Sequence, residues 1–358
     1  MARIVEIDRS DLAQSRIVER DSAPLGEGEV RLRVDSFSVA ANNVTYAVAG
    51  DAFQYWNFFP ASDGQGVVPM WGHATISDSN HPDLAVGERV YGYLPMGEEL
   101  VVQPTGVTPG GFSDSAAHRQ PMSPFYNQYA RLANDPEHDP AREAERMLFG
   151  PLFKTGFLIE SFMRGEGWYG AQQAVLTSAS SKTAMALASV MRAKSPGVRR
   201  IGLTSPGNVD FVRGGGFYDE VLPYDAINQI ACNASVSVDF AGNANVLHAI
   251  HTHLGDALRY SCTVGATHVG QGFGGPERSM SGPTPTLFFA PTHAMEAIQK
   301  VGAKAFGQDV AESWRTFVGE AGSALRIDER QGLEAARDAF AQTLAGRADP
   351  AVGIIVKP

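Results

Sequence analysis

Ala174–Ala184, AVLTSASSKTA, gathers Ser178, Ser180, Ser181 and Lys182 between an apolar run and the opening of a helix. Hydroxyls, a lysine and the free N–H groups of a helix start are all donors for a phosphate. Such a turn usually gains backbone room from glycines, and here there are none. Ala179, Ser180, Ala184 and Ala188 offer small side chains instead. The same residues also read as an ordinary capped helix, with Ser180 or Ser181 as N-cap. A second segment, NNVTYAVAGDAFQYWNFFP, sets Asn42, Asn43, Thr45 and Tyr46 ahead of Tyr55, Trp56, Phe58 and Phe59. Such aromatics line a flat acceptor's pocket or form core. Tyr126, in SPFYNQYARL, is a further phenol able to donate a proton.

Other chemistries find little support. His73 in WGHAT is a lone imidazole, and HAIHTH puts only His248 and His251 on one helix face, so no metal site is expected. The two cysteines, Cys232 and Cys262, make neither a disulfide framework nor a four-cysteine site and read as buried free thiols. No G-x-S-x-G elbow occurs, and SSKT lacks the glycines of a phosphate-binding P-loop.

The 358 residues, at roughly 150 per domain, suggest two domains. Hydrophobic residues at 44% and charged residues at 19% fit a globular chain, and a net charge of −10 argues against nucleic acid as a partner. No apolar run reaches membrane-spanning length and the N-terminus lacks a signal-peptide core, so a cytoplasmic protein with no membrane partner is expected.

The elements that must position these residues change character near residue 150. Before it, EVRLRVDSFSV alternates with period two, ERVYGYLPM and EELVVQP read as short strands, and residues 105–125 read as a loop. ANDPEHDPAREAER is a charged loop leading into a helix, and GPLFKTGFLIESFMRGEG is an apolar-periodic helix with a glycine stop. After it, strands AVLTS, RRIGLTS, EVLPY, SVSVDFAG, ALRYSCTVGAT and TPTLFFAP alternate with helices, which implies a parallel sheet with crossovers. A long helical region (293–345) and a terminal strand, AVGIIVKP, close the chain.

Taken in order, GEGEVRLRVDSFSVAANNVTYAVAGD, DLAVGERVYGYLP, AVLTSASSKTAMALASVMRA, VSVDFAGNANVLHAI, YSCTVGATH and LAGRADPAVGIIVKP resemble successive blocks of the medium-chain dehydrogenase/reductase superfamily. The likeness is nearest to its zinc-free, quinone-reductase-like members. It implies an α/β fold: a β-rich GroES-like catalytic domain (1–150 plus about 291–358) and a Rossmann-like doubly wound parallel-sheet domain (151–290) that binds NADP. Ser178, Ser180, Ser181 and Lys182 then face the cofactor, followed by Thr204, Ser205 and Asn208 at the second strand's end, and by Gly242, Gly265 and Phe289 toward the nicotinamide. LTSPGN has no acidic residue to repel a 2′-phosphate, and Arg213 is a nearby cation, which favours NADP over NAD.

The resemblance further implies that Tyr46 and Asn43 serve catalysis. Asn42, Thr45, Tyr55, Tyr126, Lys154 and Thr155 border the substrate. No zinc is expected, since the turn that would carry its cysteine reads Ala40, Ala41, Asn42, Asn43. The function implied is zinc-independent, NADPH-dependent reduction of an activated C=C bond or quinone. The alternatives are a carbonyl reductase and a non-redox ligand-binding protein that keeps the fold. A small-molecule substrate and a homodimer are the implied partners.

Overall fold

The structure, a computed structural model, describes residues 1–120, 122–264, 280–322 and 325–358. The chain divides into two compact units, Met1–Leu148 with Leu325–Pro358, and Phe149–Ala324.

The first unit is built on antiparallel strands. A three-stranded sheet joins Ser15–Arg20, Ala2–Asp8 and Gln65–Gly66. A nine-stranded sheet runs Arg326–Gln331, Val352–Lys357, Val30–Val39, Pro69–Ser79, Arg89–Pro95, Gln128–Arg131, Gly111–Asp114 and Pro104–Thr108, with Glu99–Val102 also pairing Val30–Val39. Val30, Leu32 and Val34 alternate into a core shared with Ile76, Val90, Phe112, Tyr129, Phe340 and Val356. Trp56 lies in the same core, in the space left by Gly50 and Gly66: a Cβ on either would sit 2.0 or 2.3 Å from the indole.

Two expectations are corrected in this unit. Residues 105–125 are not all loop: Pro104–Thr108 and Gly111–Asp114 form a hairpin, and Gly111 lets its second strand pair with Gln128–Arg131, where a Cβ would meet the Tyr129 carbonyl oxygen at 2.4 Å. The long helical region is interrupted by the strand Arg326–Gln331. It is charged on both faces and so lacks an alternating signal, and its parallel pairing to Val352–Lys357 holds it.

The second unit carries a six-stranded parallel sheet. Its strands, in spatial order, are Glu220–Pro223, Arg199–Thr204, Gln173–Leu176, Ser235–Asp239, Leu258–Thr263 and Thr286–Leu287. In chain order within the unit this is 3-2-1-4-5-6, the doubly wound arrangement whose ligands sit beyond the strand ends where the order reverses. Here the reversal falls between Gln173–Leu176 and Ser235–Asp239. Helices Lys182–Lys194, Val209–Gly214 and Ala244–Leu254 cross between strands. Helices Ala290–Val301 and Ala303–Ala321 also belong here, which moves the return to the first unit from about residue 291 to Leu325. Their anchor is aromatic: Phe153 stacks on Phe317 at 5.4 Å and meets Trp314 edge-on at the same distance.

Candidate functional site

In the first unit, four phenols converge. Trp71 and His73 stand two apart on Pro69–Ser79, and Tyr91 and Tyr93 two apart on Arg89–Pro95; the register sets Trp71 opposite Tyr93 and His73 opposite Tyr91, so all four share one face. Helix Ala41–Val48 brings Tyr46 over this face, with ring centroids 5.5 Å from Tyr93. Tyr55 lies 4.8 Å from Tyr46. The short turn Pro124–Asn127 adds Tyr126, whose hydroxyl is 3.0 Å from that of Tyr55.

The hydrogen bonds define roles. Trp71 donates its indole N–H to the Tyr46 hydroxyl at 3.0 Å. An indole nitrogen can only donate, so the Tyr46 oxygen accepts and its own hydrogen is left to be given elsewhere. Burial raises the Tyr46 pKa, while Asn42 and the Trp71 N–H work in the opposite direction by favouring the phenolate. The group is therefore a phenol at neutral pH with a prepared environment for its conjugate base. Tyr55 and Tyr126 are likewise held protonated by burial.

Asn43 does something different from the catalytic part expected of it. Its Oδ1 accepts the Ala40 N–H at 2.7 Å and its Nδ2 donates to the Pro69 carbonyl at 2.9 Å, so its amide is used to start the helix that carries Tyr46. Asn42 is half-buried beside Tyr46, and Thr45 donates to Ala41 one helical turn back at 3.4 Å. Lys154 and Thr155 lie in the second unit, on helix Glu143–Gly165, where Thr155 donates to the Pro151 carbonyl at 3.3 Å. His73 is fully buried and neither ring nitrogen has a partner among the described residues. Burial is the main cause that lowers its pKa to about 3. Among the described residues no three His, Cys, Asp or Glu side chains converge as metal ligands.

In the second unit, Thr177–Ser181 leads from the first parallel strand to helix Lys182–Lys194. Ser178 sits at φ 48°, in the left-handed region that glycine favours, so the conformation of a glycine turn is kept with a serine in it. Ser181 is the N-cap, accepting the Ala184 N–H at 3.3 Å. Close helix packing comes from the opposite partner: a Cβ on Gly156 would meet the Leu187 nitrogen at 2.6 Å. Asn208 donates to Ser180 at 3.2 Å, joining the ends of the first two strands. Thr204 is buried at the strand end, Ser205 is exposed, and Arg213 donates to the Val221 carbonyl at 3.3 Å.

Among the described residues, the backbone N–H groups of Ser180, Lys182 and Thr183 have no partner and Lys182 makes no ion pair. Burial alone lowers the Lys182 pKa to about 8. An ammonium without a carboxylate partner and three free N–H groups at the same helix start are donors suited to a phosphate. At the reversal point, Thr177 donates to Asp239 at 2.5 Å, and Asp239 accepts the N–H of Gly242, which has φ 63°. Phe289 caps helix Ala290–Val301 and is 38% exposed. Gly265 lies outside the described residues.

Several residues escape a sequence reading. Tyr224 takes the Ser178 N–H at 3.0 Å and Tyr218 donates to the Ala179 carbonyl at 2.8 Å, so two phenols hold the turn from the third-strand side. In the first unit, Trp71, Tyr93 and Arg119 complete the phenol cluster. The paired W-x-H and Y-x-Y patterns were the available signal for the strand residues; Arg119 gave none.

Solved structures share this fold over nearly the whole chain. CurA from Vibrio vulnificus in complex with NADPH matches with 14% identity and a TM-score of 0.60, over 99% of this chain and 98% of that one. The yhdH oxidoreductase from Salmonella enterica in complex with NADP matches at 13% identity and a TM-score of 0.55, over 99% of each chain. A mutant form of enoyl thioester reductase from Candida tropicalis matches at 11% and 0.55, over 100% of this chain and 99% of that one. No curated protein matches by sequence. The family described as "Protein of unknown function (DUF2855)" matches residues 37–349, and the chain belongs to that family.

Proposed function

We propose that the protein is a zinc-independent, NADPH-dependent reductase of an activated C=C bond or quinone, with Tyr46 as the proton donor. The observation that carries this reading is the Trp71 N–H bonded to the Tyr46 oxygen at 3.0 Å, which leaves the phenol proton free and stabilises the phenolate formed when it leaves. Solved structures of the same fold, named as complexes with NADPH and NADP and as an enoyl thioester reductase, support it.

The residues of the Thr177–Ser181 turn fit a dinucleotide. Lys182 and the free N–H groups of Ser180, Lys182 and Thr183 hold the pyrophosphate. Ser205 and Asn208, with no carboxylate among them, leave a 2′-phosphate unopposed, and Arg213 is within the same strand–helix segment to attract it. Bound NADPH supplies the hydride. Tyr46 supplies the proton to the acceptor's oxygen, directly for a quinone or through the enol of an enone. Tyr55 and Tyr126 wall the acceptor with rings.

The same proposal includes a cytoplasmic homodimer. Among the described residues no helix is long and apolar enough to cross a membrane. Leu287, Phe289, Met295, Ile298 and Val301, exposed along the edge strand and the helix after it, form the apolar face for a second copy. Titration of the protein with NADPH and NADH by calorimetry tests the cofactor assignment: NADPH binds and NADH binds more weakly. Absence of binding to both would leave the non-redox alternative.

A further inference from the structure

Arg119 is fully buried in the first unit, in an ion pair with the equally buried Asp114 at 2.8 Å. Its guanidinium also donates to the Tyr129 hydroxyl at 2.9 Å and to the Tyr126 carbonyl at 3.1 Å. Tyr129 in turn donates to the Tyr93 carbonyl at 2.6 Å. Phe58, Phe59 and Tyr129 present their rings to the guanidinium at 5.3, 5.4 and 5.8 Å. Asn127 closes the loop by donating to the Arg119 carbonyl at 3.1 Å.

Taking a guanidinium out of water is costly, and an apolar side chain of similar volume often serves a core as well. What an apolar residue lacks here is the fork. One planar cation reaches three elements at once: the turn that carries Tyr126, the strand that carries Tyr93 through Tyr129, and the segment that carries Phe58. These are the elements whose rings meet: Tyr93 lies 5.0 Å from Tyr126 and 5.0 Å from Phe58. Tyr126 is half-buried on a short turn without a side-chain cap; its N–H donates to the Ser123 carbonyl at 3.1 Å, and the Arg119 fork is the side chain that takes its carbonyl.

We propose that Arg119 is a positioning residue that sets Tyr126 against Tyr55 and so fixes the acceptor-binding wall of the phenol cluster. The inference rests on the reductase reading for its kinetic consequence but not for its structural one. Arg119 acts through the Tyr126 carbonyl.

The test uses the full-length protein with 13Cζ-labelled tyrosine, Tyr126 being assigned by the loss of its signal in Tyr126→Phe. Arg119→Met and Arg119→Lys are compared with the wild type. Lysine keeps a charge for Asp114 but lacks the fork that reaches Tyr126 and Tyr129 together. The expected result is a displaced Tyr126 resonance in both variants. KM for the acceptor rises about tenfold, kcat per folded protein stays within about twofold, and NADPH affinity is unchanged. Lysine restores thermal stability without restoring KM. If methionine prevents folding, the lysine variant decides alone. An unmoved Tyr126 resonance, or a lysine variant with wild-type KM, overturns the proposal. Failure of the wild type to reduce any acceptor would count against the reductase reading instead, because the resonance shift is read without turnover.

Discussion

Trp71 donates its indole N–H to the Tyr46 hydroxyl at 3.0 Å, between a strand and a helix of the first unit. The bond fixes the direction of the Tyr46 proton and prepares the phenolate's environment. Trp71→Phe keeps an aromatic ring and removes the donor. The expected loss is about tenfold in kcat, with NADPH affinity unchanged, since hydrogen bonds to charged groups contribute about 1.5–3 kcal/mol. Stopped-flow measurement of acceptor reduction checks it; unchanged kcat means the indole N–H has no part in the proton transfer.

Lys182 has a pKa lowered to about 8 by burial, so in the free protein it loses its charge as pH rises through about 8. A bound phosphate favours the ammonium. NADPH affinity is therefore expected to fall about tenfold between pH 7 and pH 9.5 by this linkage. Lys182→Met weakens binding at pH 7 and flattens the pH profile. Binding titrations across that range decide; a wild-type profile as flat as the variant's removes Lys182 from the phosphate site.

How much of this was legible in the sequence depends on where the signal lay. AVLTSASSKTA announced a strand–turn–helix because an apolar run, hydroxyl residues and a helical period follow one another, and that segment forms as read. It could not show Ser178 at φ 48°, nor the Tyr224 hydroxyl on its N–H, a partner 46 residues away. Tyr46, Tyr55 and Tyr126 stood out by residue type and by the family resemblance, and the structure brings them together. Asn43 carried the right residue type for chemistry, yet its amide is occupied: by the Ala40 N–H three residues back, and by the Pro69 carbonyl, a partner 26 residues away that no local pattern encodes. Charged RIDERQ hid a strand for the same reason: its support is a parallel partner at the C-terminus.

His73 offers a stability test independent of function. Its ring nitrogens are buried without partners among the described residues, and burial holds the imidazole neutral with a pKa near 3. In the unfolded chain it titrates near the ordinary 6.5. The lowered pKa means that below about pH 6.5 the unfolded state binds a proton the folded state refuses, so stability is lost as pH falls toward 3 at about 1.4 kcal/mol per pH unit. His73→Phe removes both the orphaned nitrogens and this acid lability. Urea unfolding at pH 7.5 and pH 5 reads it: the wild type should lose about 2 kcal/mol from this group across that interval, and the variant should lose that much less. Equal losses in both proteins would show that the imidazole is protonated or solvated in the fold.

NADPH consumption by the wild type and by Tyr46→Phe, with a panel of enones and quinones, tests the central claim most directly. The account predicts that the wild type oxidises NADPH only when an acceptor is present. Tyr46→Phe should bind NADPH equally well but turn over about 10² times more slowly. No acceptor-dependent oxidation by the wild type, or full turnover by Tyr46→Phe, would contradict it.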